Sequence, residues 1–97
     1  MVTKTDAAHA KKMLRSNKDI ILLDVRTPAE YEKDHINGSV LLPHDHIVKM
    51  AKYILPDKTA KIIVGCSSGF RSRIACAMLA ALGYENVYDA GRILLLK

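Results

Sequence analysis

The chain has no tryptophan, one phenylalanine and only 5% aromatic residues. A surface that binds nucleic acid by stacking needs aromatics interleaved with cations, and here the lysines are scattered. The net charge of +5 therefore points to a solvated basic surface and to small anions or acidic partners, with no nucleic acid expected. Two cysteines are too few for a disulfide framework, and a reduced, cytoplasmic setting is expected, with a mature exported form as the alternative. No apolar run reaches membrane-spanning length, so no membrane partner is expected. The N-terminus lacks the charged start and apolar stretch of a signal peptide. Repeats, linkers and low-complexity segments are also missing. The 97 residues, 49% apolar, are expected to form one domain spanning 1–97.

What the chain does contain is an alternation of short apolar runs with helical patterns. Val2-Thr3 is long enough for only a small edge strand. Thr5 or Asp6 then caps a helix whose stripe is Ala7, Ala10, Met13 and Leu14, stopping near Asn17. Ile20 through Val25 is continuous and apolar, as a strand buried on both faces of a parallel sheet would be. Thr27, Pro28 and Glu30 read as a cap, a first-turn proline and a capping-box acid, for a helix through about Lys33. Asn37-Gly38 marks a turn before a brief strand, Val40-Leu41-Leu42. Asp45 caps a helix carrying Ile47, Val48 and Ala51. Asn86-Val87-Tyr88 reads as a last strand and Gly91 as a turn. Such alternation predicts an α/β fold with three layers.

The most informative stretch runs from Lys61 to Ala75. Ile62-Ile63-Val64 reads as a buried strand that breaks at Gly65. Cys66 follows, then Ser67, Ser68, Gly69, Phe70 and Arg71. From Ser72 the pattern turns helical through Ile74, Ala75, Met78, Ala81 and Leu82, and Gly83 stops it. A thiol is thus expected between a strand end and a helix start. Loop amides and the first unpaired helix N–H groups converge there, and the dipole adds roughly half a positive charge. Such a point binds anions and favours a thiolate. Gly69 lets the loop amides curl inward, Arg71 offers a planar fork of donors to an oxyanion, and Ser67, Ser68 and Ser72 add hydroxyls, unless Ser72 caps the helix. The alternative is an inert packing cysteine, against which the ordered glycine, arginine and helix onset argue. Cys76, about 15 Å further along the helix, is read as packing. His44 and His46 flank Asp45 without a second ligand cluster, so no metal is expected. His35 is read as meeting a local backbone group.

These motifs together resemble the rhodanese-like family. Asp24-Val25-Arg26-Thr27-Pro28-Ala29-Glu30-Tyr31 with His35-Ile36-Asn37-Gly38-Ser39 is similar to its first signature, Cys66 through Ser72 to its active-site loop, and Gly83 through Tyr88 with Ala90-Gly91 to the segment that follows. The likeness runs from about Asp6 to Gly91. It implies a three-layer α/β/α sandwich on a parallel five-stranded sheet of order 3-2-4-5-1, with ligand chemistry where the strand order reverses. Asp24 and Arg26 would lie near Cys66 in structural roles, Arg26 pairing with Glu30 and Asp24 accepting backbone donors, with direct catalysis as the alternative.

The resemblance also implies sulfurtransferase activity of the thiosulfate sulfurtransferase (rhodanese) type, without a cofactor. Cys66 would carry a persulfide between a small anionic sulfur donor and a thiol or cyanide, or a protein sulfur acceptor. Ser67, Ser68, Gly69, Phe70, Arg71 and Ser72 would bind the substrate. A partner-dependent relay or binding module is a second reading. A cysteine-dependent phosphatase or arsenate reductase is a third, disfavoured because its loop has five residues between cysteine and arginine and this one has four. The chain departs from the family where Arg92 replaces a frequent second glycine, where tryptophan is missing, and where Ile93-Leu94-Leu95-Leu96 needs cover from the domain or a partner.

Overall fold

The computed structural model describes residues 2–97. The strands are β1 (Val2–Lys4), β2 (Ile21–Asp24), β3 (Val40–Leu41), β4 (Lys61–Cys66) and β5 (Asn86–Arg92). They form one sheet in the order β1-β5-β4-β2-β3, with every neighbouring pair parallel. This is the expected order counted from the other edge. Four α-helices accompany it: α1 (Ala7–Ser16), α2 (Pro28–Lys33), α3 (Ile47–Ile54) and α4 (Phe70–Ala81). Two 3-10 turns, His44–His46 and Ile93–Leu96, complete the chain. None of the described helices is long and apolar enough to cross a membrane.

The uninterrupted apolar runs have the burial they predict. Ile62, Ile63 and Val64 of β4 are fully buried, and each contributes about 1.5–3 kcal/mol by leaving water. Ile63 packs with Leu22, Ala10, Ile93 and Leu96 under α1 and the last 3-10 turn. Ile62 and Val64 pack with Leu23, Ala51, Ala75 and Leu79 under α3 and α4. The period of two along the strand sends successive side chains to the two layers.

Local chemistry sets the helix ends. Asp6 caps α1 by accepting the His9 N–H at 2.8 Å. Thr27 and Glu30 form the reciprocal capping box of α2, with Pro28 in its first turn. At the end of α4, Gly83 takes φ +98°, and the N–H groups of Gly83 and Tyr84 reach the carbonyls of Ala80 and Leu79, as in a Schellman stop.

Four expectations need correction. Asp45 does not cap a helix: it lies in the 3-10 turn His44–His46, and no side chain caps α3. The turn itself leads into α3, with the His46 N–H bonded to the Pro43 carbonyl at 2.9 Å. The third strand stops at Leu41, because the Leu42 N–H turns to the Asp24 carbonyl. Gly65 does not end β4, which continues to Cys66. Gly91 is not a turn residue. Strand β5 runs on to Arg92, with Val64 opposite Asp89 but Gly65 opposite Gly91, so Ala90 is the extra residue of a bulge and Gly91 takes φ +71°.

The apolar C-terminal run is covered in part by the domain itself. A three-residue period places Ile93 and Leu96 on one side; both are buried, while Leu94 and Leu95 face outward. That packing explains Gly65. A Cβ there would stand 2.7 Å from the Cβ of Ile93, closer than two carbons can approach. Gly65→Ala is expected to cost about 1–3 kcal/mol by overpacking, measurable as a lower urea midpoint at unchanged m-value; a midpoint equal to wild type would show that Ile93 yields freely.

Candidate active site

Strand β4 delivers Cys66 to the C-terminal edge of the sheet, beside the β2–β4 boundary where the strand order reverses. Three residues later Gly69, at φ +95°, caps α4. A positive φ is cheap only for glycine, and here it folds the loop back over the strand end. The Gly69 N–H donates to Cys66 Sγ at 3.0 Å and the Ser72 N–H at 3.2 Å. Two amides otherwise without a partner at the start of α4 thus converge on one sulfur, where the dipole favours negative charge. The cysteine is fully buried, with its sulfur under the loop.

The remaining loop residues divide into two groups. Ser72 is buried, and its hydroxyl lies 2.9 Å from Asp89 Oδ1 and 3.0 Å from the Gly69 carbonyl. Asp89 Oδ1 also accepts the Gly91 N–H at 3.1 Å. This carboxylate therefore ties the first turn of α4 to the bulge of β5. Ser67, Ser68 and Phe70 are exposed, and the Phe70 ring carries the Arg73 guanidinium 5.8 Å from its centroid. Ser68 Oγ accepts the Phe70 N–H at 3.4 Å.

Arg71 is held by Glu30. Its Nη1 and Nη2 donate to Oε1 and Oε2 at 2.7 and 3.0 Å, a bidentate fork. The same carboxylate accepts the Thr27 N–H at 3.0 Å and the Ser67 hydroxyl at 3.2 Å. One acid thus closes the capping box of α2 and latches the loop after Cys66. Its pKa is held well below the usual glutamate range, first by Arg71 and then by the Thr27 amide. The guanidinium is raised in turn by Glu30.

Arg26, expected to pair with Glu30, pairs with Asp24 instead. Its Nη2 lies 2.7 Å from Asp24 Oδ2 and its Nε 2.9 Å from Oδ1, with both residues buried. Asp24 also accepts the Arg26 N–H at 3.0 Å, so its expected role as a backbone acceptor is present. Arg26 Nη2 further donates to the Asp34 carbonyl at 2.7 Å. A two-residue separation lets this ion pair close locally, leaving Glu30 free for Arg71.

Burial pushes the Cys76 thiol up to about 12, with Asp89 adding to the effect. His35 Nδ1 donates to the Tyr31 carbonyl at 2.7 Å and its ring stacks on Tyr31 at 3.9 Å. Among the described residues no group of three His, Cys, Asp or Glu side chains converges as a metal site.

Glu30 and Asp89 are the two residues around the sulfur that sequence reasoning did not assign to the site. Glu30 reads in the sequence as a helix cap and as the partner of Arg26, not of Arg71. Asp89 had no local signal beyond an acid in a strand.

A carboxylate with a lowered folded-state pKa contributes stability above its unfolded pKa and loses it as pH falls through the folded one. The Glu30 contribution is therefore complete at neutral pH and fades once pH drops below the ordinary glutamate range. Glu30→Gln is expected to lower the melting temperature at pH 7, with the gap to wild type shrinking on acidification. A gap independent of pH would show that the Glu30 charge contributes nothing to the latch.

Comparison with known proteins assigns the fold and sequence to a family. The sequence profile of the Rhodanese-like domain matches residues 6–90. A sulfurtransferase of Allochromatium vinosum is 34% identical over 89 residues, covering 92% of this chain and 81% of that protein. The thiosulfate sulfurtransferase PspE of Escherichia coli is 32% identical over 69 residues, covering 71% of this chain and 66% of that protein. The solution structure of the rhodanese-like domain of Alr3790 from Anabaena superposes with a TM-score of 0.84 at 27% identity, over 97% of this chain and 71% of that one. A family profile matching most of the chain, and a relative of this identity and coverage, show that the chain belongs to the rhodanese-like domain family.

Proposed function

We propose that this protein is a sulfurtransferase of the thiosulfate (rhodanese) type, carrying sulfane sulfur on Cys66. The observation behind this reading is the pair of N–H groups, from Gly69 and Ser72, aimed at one sulfur at the start of α4. A thiolate there attacks the outer sulfur of thiosulfate. The new bond joins Sγ to that sulfur, the S–S bond of the donor breaks, and its electron pair leaves with sulfite. A persulfide remains on Cys66. Cyanide or a thiolate then attacks the outer sulfur, and the electron pair of the broken bond returns to Sγ. A protein persulfide serves as donor by the same step.

The loop amides stabilise charge on the sulfur through both half-reactions. Ser67, Ser68, Gly69, Phe70 and Ser72 frame the substrate. Arg71 holds the sulfonate end of the donor: Glu30 takes two of its five N–H groups, and the others remain. The four residues between Cys66 and Arg71 make a cradle centred on sulfur.

Incubation with thiosulfate is expected to add one sulfur atom to Cys66, read by intact-protein and peptide mass spectrometry. Cys66→Ser should abolish both the mass gain and thiocyanate formation, while Cys76→Ser retains them. Arg71→Ala should raise the thiosulfate KM about tenfold or more through loss of charge-assisted hydrogen bonds. Sulfur found on Cys76 alone, or no mass gain on a folded protein, would refute the assignment.

A further inference from the structure

The two faces of the sheet are covered unequally. Helices α3 and α4 pack over Ile62 and Val64 on one face. On the other, α1 shares the cover with the 3-10 turn Ile93–Leu96. Between that helix, that turn and residues 36–38 the cover is incomplete, and a cleft of about 400 Å³ remains. Its walls are the aliphatic side chains of Leu14, Ile20, Leu22, Ile36 and Leu96. Leu22 and Leu96 are buried and the other three are half-buried, so the cleft reaches from the surface down to the apolar core around Ile63. No residue of the active-site loop borders it.

The rim carries charge of one sign. Lys11, Leu14 and Arg15 share one face of α1 by their i, i+3 and i+4 spacing, so both cations border the cleft together with Leu14. Neither takes part in an ion pair among the described residues, and two like charges one helical turn apart repel each other. Lys97, the third cation of the border, is paired with Asp34. The bordering residues include no acid, no hydroxyl and no aromatic ring, and Asn37 is their one uncharged polar side chain. A flat ring finds no stacking partner here, and a cationic ligand meets its own sign. An aliphatic body with an anionic head fits both the walls and the rim. Its chain leaves water against Leu14, Ile20 and Ile36, and its head relieves the repulsion between Lys11 and Arg15. The volume falls within the ~300–1,000 Å³ typical of pockets for organic ligands.

We propose that this cleft binds an amphipathic aliphatic carboxylate. Lys11 and Arg15 hold the carboxylate head by charge-assisted hydrogen bonds, and the aliphatic walls enclose the tail, with Leu22 and Leu96 as the floor. The site is separate from Cys66 and involves no sulfur chemistry, so it stands whether or not Cys66 carries sulfur.

Octanoate is the probe, with octylammonium as the same tail under the opposite charge. Titrated into isotope-labelled protein, octanoate should shift the amide resonances of Leu22, Ile36, Gly38 and Leu96. Affinity should grow about fourfold for each CH2 added between butyrate and octanoate, and octylammonium should bind about tenfold more weakly than octanoate, or less. Lys11→Ala/Arg15→Ala, with its fold checked by the unperturbed remainder of the amide spectrum, should weaken octanoate about tenfold and erase the preference between the two heads. Cys66→Ser should bind octanoate like wild type, which keeps this test apart from the fate of the sulfur-transfer reading. Equal binding of the two heads by the wild-type protein, affinity indifferent to tail length, or no binding at all would overturn the proposal. Shifts confined to residues 66–72 would overturn it too, by placing octanoate as a simple anion at the active-site loop.

Discussion

The geometry turns on a sulfur lodged where a strand ends and a helix begins, with amides of Gly69 and Ser72 bonded to it. Unpaired N–H groups at a helix start must find partners, and here the chain supplies one of its own side chains. Gly69 makes the fold-back possible. Ser72 and Asp89 fix the first turn of α4 against β5, so the amides are aimed before any ligand arrives. Preorganisation of this kind costs nothing at the moment of reaction.

A second constraint is the shared use of Glu30. Within α2 it is an ordinary capping-box acid, worth about 1 kcal/mol as such caps usually are. The same carboxylate grips Arg71 and Ser67. The stability of a six-residue helix is therefore coupled to the position of the loop after Cys66. A helix this short is marginal alone, and the buried Asp24–Arg26 pair just before it, reaching the Asp34 carbonyl at its end, anchors the segment from beneath.

Features governed by neighbours in the chain were legible in the sequence. The capping box at Thr27, the stop at Gly83, the strand of Ile62-Ile63-Val64 and the helix after it all follow from spacing over a few residues. The strand order came only through resemblance to a family. Pairings across long separations left no local trace. Glu30 and Arg71 are on different elements, and a cap already explained the first. Gly91 read as a turn because a bulge and a turn demand the same positive φ. Gly65 read as a break because its close contact with Ile93 belongs to the tertiary structure. Cover for the C-terminal run is likewise a tertiary property: Ile93 and Leu96 pack with Ala10 and Ile63, residues far from them in the chain.

The ladder between β1 and β5 has a kinetic meaning. Val2 lies opposite Val87, so the first strand of this domain is seated by its last. Loop closure over such a span is entropically expensive and slows folding. During synthesis β1 waits unpaired while the inner strands assemble, and its three-residue length keeps that waiting segment a poor template for aggregation.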